Sequence, residues 1–281
     1  MFDRVIVVDW SANSRPVRGR DSIWIAVADR SSGAIATTNP RTRAEAIDQV
    51  ATLGCRPGRV LIGVDFSLGY PDGTAHALGL TGVPWRAIWS RLADLVEDHA
   101  DNSNNRFDVA SMLNGRIGLI EGPFWGCPPA RRTPTLRSTK PRPSSPSRLG
   151  EWRRVEVELR RQGHRPFSSW QLLGAGSVGG QSLLGIPRLV ELEARLIGDG
   201  RRVDVWPFTT QGREPTADVV IAEVWPSLYP LPDVAGAVRD EVQVIETARR
   251  LTVSPVDMSL AAVDDGQRRI VCGEEGWVLG A

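Results

Sequence analysis

The stretch Val60-Leu61-Ile62-Gly63-Val64-Asp65-Phe66-Ser67 decides the fold prediction, because an apolar strand here runs directly into an acidic residue. An apolar, β-branched run is typical of a strand at the centre of a sheet that is covered on both faces. A carboxylate at the end of such a strand is expensive to bury unless the strand opens into a cleft. The stretch therefore predicts an α/β domain with a polar site at one edge of its sheet.

Two further stretches have the same form, Val5-Ile6-Val7-Val8-Asp9-Trp10-Ser11 and Val219-Val220-Ile221-Ala222-Glu223-Val224-Trp225-Pro226. Each of these acids, taken alone, could be a turn former or the cap of the following helix. Carboxylates that converge at strand ends are, however, the ligands that hard cations such as Mg²⁺ prefer. The recurrence of Asp, aromatic, Ser in two of the three stretches favours a metal site, and with it phosphoryl-transfer or hydrolytic chemistry.

The order of predicted elements indicates the kind of sheet. A meander of three strands, at about 4–9, 22–28 and 34–38, precedes a helix at 43–53 and the strand that ends at Asp65. The last third adds a helical pattern at 179–196, strands at 203–207 and 219–226, and a helix at 240–251. A meander followed by a crossover helix is the start of a ribonuclease H-like sheet. We therefore expect an α/β fold with a mixed five-stranded sheet and helices on both faces.

The middle of the chain, at about 100–170, predicts an insertion that is mostly irregular. Pro, Ser and Arg dominate from Pro123 to Arg148 with no periodicity, which predicts a surface loop. The segment 128–165 is a solvated linker, or else a clamp that neutralises phosphates while tryptophans stack on bases. It holds eleven basic residues against three acidic ones, although the net charge of the whole chain is only +1. The basic residues are Arg131, Arg132, Arg137, Lys140, Arg142, Arg148, Arg153, Arg154, Arg160, Arg161 and Arg165.

Gly174-Ala175-Gly176-Ser177-Val178-Gly179 matches the G-x-G-x-x-G pattern of dinucleotide-binding loops. The residues before it make a poor buried strand, and Pro187 is expected to break the helix after it. We favour a glycine-rich loop that contacts a phosphate or the substrate backbone beside the carboxylates, with a purely structural turn as the alternative.

Other enzyme and location classes find little support. The three cysteines are far apart, and no histidine has metal-ligand spacing. Ser67 does not lie in G-x-S-x-G, so a Ser-His-Asp hydrolase is not indicated. The chain starts directly in a strand and has no run of ~20 apolar residues, so we expect a cytoplasmic protein with no membrane partner.

Seven motifs in this order resemble the domain-of-unknown-function family 429, whose members are regarded as predicted nucleases of the ribonuclease H-like superfamily. The motifs are Asp9-Trp10-Ser11, Gly63-Val64-Asp65-Phe66-Ser67, Asn105-Arg106-Phe107, Gly122-Pro123-Phe124-Trp125-Gly126, Gly174-Ala175-Gly176-Ser177-Val178-Gly179-Gly180-Gln181, Glu223-Val224-Trp225-Pro226 and Glu275-Gly276-Trp277-Val278-Leu279-Gly280.

The resemblance implies a single ribonuclease H-like domain over 1–281, with Asp9, Asp65, Glu223 and Asp240 as catalytic and metal-binding carboxylates. Relatives often carry two acids three residues apart at the last of these positions, where this chain has Asp240 and Gln243. In the metal site, Ser11 and Ser67 would orient the carboxylates beside them. The residues that we predict to contact substrate are Ser11, Ser67, Asn105, Arg106, Trp125, Gly174, Gly176, Ser177 and Gln181.

The leading functional prediction is a nuclease or other phosphodiester hydrolase that depends on Mg²⁺ or Mn²⁺. Its substrate would be a nucleic acid or a nucleotide-like molecule, with DNA, RNA, a hybrid and a small molecule all left open. One alternative is a nucleotide- or cofactor-binding protein of the same shape without hydrolytic activity. The other is a scaffold whose acids only form turns and caps. Nothing in the sequence indicates the oligomeric state.

Overall fold

A computed structural model describes residues 1–118, 122–141, 149–174, 176–254, 256–261 and 263–281. In this part of the chain, six strands form one mixed sheet in the order β3-β2-β1-β4-β6-β5. Strands β1, β2 and β3 are antiparallel neighbours, whereas β1, β4, β6 and β5 run parallel. Their bounds are β1 Arg4–Asp9, β2 Trp24–Asp29, β3 Ile35–Thr38, β4 Val60–Val64, β5 Val203–Val205 and β6 Val219–Glu223.

The α/β class is confirmed, but the expected count of five strands differs from the six observed. The additional strand is β5, which pairs with β6 at the edge of the sheet through only three residues. The sequence predicts a strand at 203–207, but the expected five-stranded sheet did not include it.

Eight α-helices are formed by the described residues. The long helix α6 continues through Pro187, contrary to the expected break, because its buried face packs against α1 and α3 over most of its length. The bounds are α1 Arg43–Gly54, α2 Thr74–Ala77, α3 Pro84–Leu95, α4 Arg106–Ile117, α5 Arg154–Arg161, α6 Gly179–Gly198, α7 Arg239–Val253 and α8 Asp265–Ile270.

Helices cover both faces of the sheet, as the unbroken apolar strands predict. Successive side chains of a strand point to opposite faces, so Val8 and Ile62 enter one core while Val7 and Leu61 enter the other. Helices α1, α3 and α6 cover the face of Val8, and α5 and α7 cover the face of Val7. This alternation fixes the face on which each residue at a strand end emerges.

The middle segment is more ordered than its composition indicates. The whole of α4 lies in it, and the described residues that follow bury Phe124 and Leu136 in the first core. Asn114 secures this packing, because its side-chain nitrogen donates to Phe124 O at 2.9 Å and to Thr135 O at 2.7 Å. The segment 123–141 is largely irregular and partly exposed, as expected, but Phe124 and Leu136 anchor it in the core; Arg142 and Arg148 lie outside the described residues.

Candidate functional site

Parallel pairing of β1 with β4 brings Asp9 and Asp65 side by side. Val8 pairs with Val64, and the next backbone N–H, that of Asp65, donates to Val8 O at 3.2 Å. The backbone N–H of Trp10 donates to Asp65 Oδ1 at 2.8 Å, which fixes that carboxylate. Each carboxyl group affects the ionisation of the other, through charge and through hydrogen bonding. The carboxyl ends of the two strands thus form an acidic pair, as the sequence predicts.

This pair holds a proton more tightly than two exposed aspartates would. Burial raises the pKa of Asp9 well above its usual value, and the charge of Asp65 and its hydrogen bond raise it further. Burial also raises the pKa of Asp65 to about 6, against hydrogen bonds from Asp9 and from the Trp10 N–H that lower it. Two carboxyl groups in one site cannot both ionise freely, so the second ionisation of the apo pair is opposed.

Two further acids lie beside the pair. Asp240, in the first turn of α7, accepts a hydrogen bond from the Asp21 N–H at 2.8 Å, and its own pKa is raised mainly by burial. The charges of Asp240 and Asp21 both raise the pKa of Asp9. Asp21 was not foreseen from the sequence, where it looks like an ordinary residue before β2. Its backbone φ of 55° is unusual for a residue other than glycine, which places a strained position at the site.

The structure does not bring Glu223 to the acidic cluster. Val64 of β4 pairs with Glu223 of β6, so the position level with Asp65 is occupied by Val224. Because side chains alternate along a strand, Glu223 emerges on the opposite face from Asp9 and Asp65. A shift of one residue in register therefore removes this predicted ligand from the site.

Glu223 instead belongs to a buried ion pair. Arg153 Nη1 and Nη2 donate to its two carboxylate oxygens at 2.8 and 2.6 Å, and the Leu68 N–H donates to it at 3.0 Å. Arg153 also donates to Glu156 Oε1 at 2.8 and 2.5 Å. All three charged side chains are buried. Burial lowers the pKa of Arg153, but its two carboxylate partners raise it by more.

The acidic cluster forms one wall of a cavity of about 940 Å³. Arg106, His164 and Arg165 line other parts of the same cavity, so it carries charge of both signs. Aromatic rings of Trp10, Phe167 and Trp225 also line it, with Trp225 in edge-to-face contact with His164 at a centroid distance of 5.5 Å.

The glycine-rich segment lies on this cavity through Gly174, Gly176 and Ser177, while Ala175 is outside the described residues. Gly176 has a φ of 72°, and a β-carbon there would lie 2.2 Å from the Phe167 ring, so only glycine fits. The segment leads into α6, but no strand precedes it: Gln171 makes only an isolated bridge with Trp125. A dinucleotide-binding unit needs that strand, so the described residues do not form one.

Three of the six other predicted contact residues, Ser11, Arg106 and Gln181, also line the cavity. Ser11 and Gln181 line it; Ser11 Oγ donates to Asp21 O at 3.1 Å, and the Gln181 side chain donates to Trp10 O. Ser11 therefore supports the turn that carries Asp21 instead of orienting Asp9.

Three predicted contact residues lie elsewhere. Asn105 is occupied at the start of α4, where its side chain accepts from Glu97 N at 2.9 Å and donates to Leu95 O at 3.0 Å. Trp125 holds the residues that precede the glycine-rich segment. Its backbone N–H donates to Trp170 O, and its carbonyl oxygen accepts from the Leu172 N–H. Ser67 is buried outside the residues that line the cavity.

Within the described ranges, no group of three or more His, Cys, Asp and Glu side chains has the spacing of a metal site. The same ranges contain no helix that is long and apolar enough to cross a membrane. Comparison of the chain with protein-family models, curated proteins and solved structures found no match.

Proposed function

We propose that the chain is a phosphodiester hydrolase, most simply a nuclease, that uses Mg²⁺ or Mn²⁺ at Asp9, Asp65 and Asp240. The observation that carries the proposal is the placement of Asp9 and Asp65 side by side at adjacent strand ends, where each opposes ionisation of the site. Carboxylates that repel one another when ionised gain from a cation that neutralises their charge. Their donor atoms are all oxygens, which suits hard divalent cations. The donor atoms therefore suit the metal by type, while the spacing of these described residues is not that of a metal site.

A bound divalent cation would supply Lewis acidity toward a phosphoryl oxygen and lower the pKa of its own water. The chain's residues would do the rest. Asp65, fixed by the Trp10 N–H, and Asp9 would hold the cation, and Asp240 would approach from α7. Asp21 restrains Asp240 through its backbone N–H. Glu223 is left out of this set, because Arg153 already occupies both of its carboxylate oxygens.

The sheet supports a ribonuclease H-like assignment and, with it, membership of the domain-of-unknown-function family 429. Its order β3-β2-β1-β4-β6, with β2 antiparallel to both neighbours, is what that superfamily would require of this chain. The strand β5 then extends the sheet by one edge position.

The alternative is a protein that binds a nucleotide or cofactor without hydrolysing it. Two observations favour it: the acids are not spaced as a metal site, and glycines line the cavity beside the first turn of α6. Such binding would use backbone N–H groups and need no metal.

The decisive experiment is calorimetric titration of Mn²⁺ into the parent protein and two variants. We expect Asp9→Asn to weaken Mn²⁺ binding at least tenfold, about 1.4 kcal/mol, because one ligand charge is lost. Asp94→Asn is the matched control, since Asp94 is exposed on α3. Mn²⁺-dependent cleavage of single-stranded DNA or RNA should also be lost in Asp65→Asn. Parent protein that binds no Mn²⁺, yet binds a nucleotide in EDTA, would establish the alternative.

A further inference from the structure

Arg106 is a buried arginine on the cavity wall whose charge is not neutralised. It is 7 % exposed and begins α4. Its Nη1 donates to Ser14 Oγ and to Asn104 Oδ1, both at 2.9 Å, and these partners are uncharged. The Nε–H is enclosed and has no acceptor among the described residues. Nη2 also donates to no described acceptor, but unlike Nε it is not fully enclosed.

The neighbours of Arg106 make this arrangement unfavourable without a ligand. Arg43, the nearest buried cation, is neutralised by Asp98, to which it donates from Nε at 3.1 and 3.0 Å. Arg106 forms no ion pair with a described carboxylate. Burial, and then the positive charges of Arg43 and Arg131, lower the pKa of Arg106 to about 10, against the charge of Asp98, which raises it. A buried arginine without a carboxylate partner is rare, because its charge is costly to bury.

The first turn of α6 faces the same guanidinium group. A β-carbon at Gly180 would lie 3.6 Å from Arg106 Nε and only 2.8 Å from Leu172 O, so glycine is what lets this turn lie so close to the guanidinium group. Val178 provides no side-chain cap, and the Gln181 side chain is engaged with Trp10 O. The backbone N–H groups of Gly180 and Gln181 have no acceptor in the described part of the chain. Free N–H groups at the start of a twenty-residue helix attract anions.

We propose that Arg106 and the first turn of α6 bind one phosphate group of the substrate, in the same cavity as the acidic cluster. The identification of the anion with substrate rests on the proposed function; the anion site itself does not. Phosphate fits best, because the arginine fork and helical N–H groups both match its tetrahedral oxygens. In this arrangement the carboxylates bind a cation, and Arg106 with the first turn of α6 binds a phosphate without needing a metal.

Inorganic phosphate is the probe, titrated in EDTA so that the cation site plays no part. We expect the parent to bind phosphate, Arg106→Gln to bind it roughly 10- to 100-fold more weakly, and Arg106→Lys to lie between them. Arg131→Gln is the control, because Arg131 is an exposed arginine that pairs with Asp108 beside α4. Parent-like affinity in Arg106→Gln, or equal losses in Arg131→Gln, would refute the assignment.

A second measurement needs no variant and so does not depend on how Arg106→Gln folds. Phosphate added to the labelled parent should shift the NMR signals of the Arg106 Nε–H and of the Gly180 and Gln181 amides, whereas acetate at equal concentration should shift them less. Phosphate that leaves all three signals unmoved overturns the proposal. Asp9→Asn separates the two proposals: it should lose Mn²⁺ and keep phosphate. A parent protein that binds no Mn²⁺ would refute the proposed metal-dependent hydrolase, but it would not affect the proposal of a phosphate site at Arg106.

Discussion

At the scale of single residues, the site is governed by charges that the protein leaves uncompensated. Burial and the interaction between the two carboxyl groups oppose the ionisation of Asp9 and Asp65. Arg106 keeps its charge in spite of burial and two positive neighbours. Most other buried charges are paired, as Arg43 is with Asp98. Asp9, Asp65 and Arg106 all line one cavity, and strongly perturbed groups in a cavity are typical of functional sites.

The acidic pair should make apo stability fall as pH rises. An unfolded aspartate has a pKa near 3.9, whereas that of folded Asp65 is about 6. Between these values the folded state binds more protons than the unfolded state, so the contribution is fully present below about pH 4 and lost above about pH 6. We expect a loss on the order of 1 kcal/mol, measured by urea unfolding in EDTA at pH 4.5 and 7.

The same comparison in Asp65→Asn should show a smaller loss, because the asparagine cannot ionise. Asp94→Asn, altered on the exposed face of α3, should keep the slope of the parent. An unchanged slope in Asp65→Asn would mean that the pKa of Asp65 is not raised.

At the scale of elements, pairing between strands decides which acids meet. Adjacent parallel strands place Asp9 and Asp65 at one level, and alternation turns Glu223 to the other face. At the end of the sheet, Glu223 joins β6 to the start of α5 through Arg153, which also donates from Nη1 to Glu275 O at 2.9 Å. Glu223 is thus a structural link between elements in this fold.

This role predicts a loss of stability rather than of metal binding when Glu223 is neutralised. Glu223→Gln should lower the free energy of unfolding by about 3 kcal/mol, because it leaves part of the Arg153 charge unpaired in a buried position. Its Mn²⁺ affinity should equal that of the parent. Urea unfolding and calorimetry measure the two quantities separately.

Glu158→Gln is the control for this prediction. Glu158 pairs with Arg161, whose side chain is 75 % exposed, and surface pairs of this kind contribute under about 1 kcal/mol. A Glu223→Gln protein as stable as the parent would contradict the structural role. One that folds normally but cannot bind Mn²⁺ would place Glu223 in the metal site.

At the scale of the whole molecule, the cavity depends on the packing of the middle segment against the sheet. The acids come from the sheet and α7, whereas Arg106, His164 and Arg165 come from the middle segment. Leu136, fully buried in the first core, ties that segment to the rest. The two walls of the cavity are therefore held together by a shared hydrophobic core.

Leu136→Ala should consequently destabilise the entire protein and not only its own segment. We expect a loss of about 3 kcal/mol in a single cooperative transition, which is typical of a leucine truncated in a core. Ile197→Ala, at a position 55 % exposed on α6, should change stability by less than about 1 kcal/mol. Separate transitions for the middle segment and the sheet, seen by calorimetry and circular dichroism, would contradict this view.

The sequence by itself determined the α/β class, the positions of most helices and strands, and the meeting of Asp9 with Asp65. Those features follow from local apolar patterns and from the rule that adjacent parallel strands end at one edge. Only the tertiary structure decided on which face of the sheet Glu223 lies and that Asp21 lies beside the acidic pair. It also decided that Arg106 forms no ion pair with a described carboxylate and that Leu136 is buried. Each of these depends on register or on contacts between residues far apart in the chain, as for Glu223 and Arg153. A one-residue shift in register reverses a side chain, and no local pattern encodes that choice.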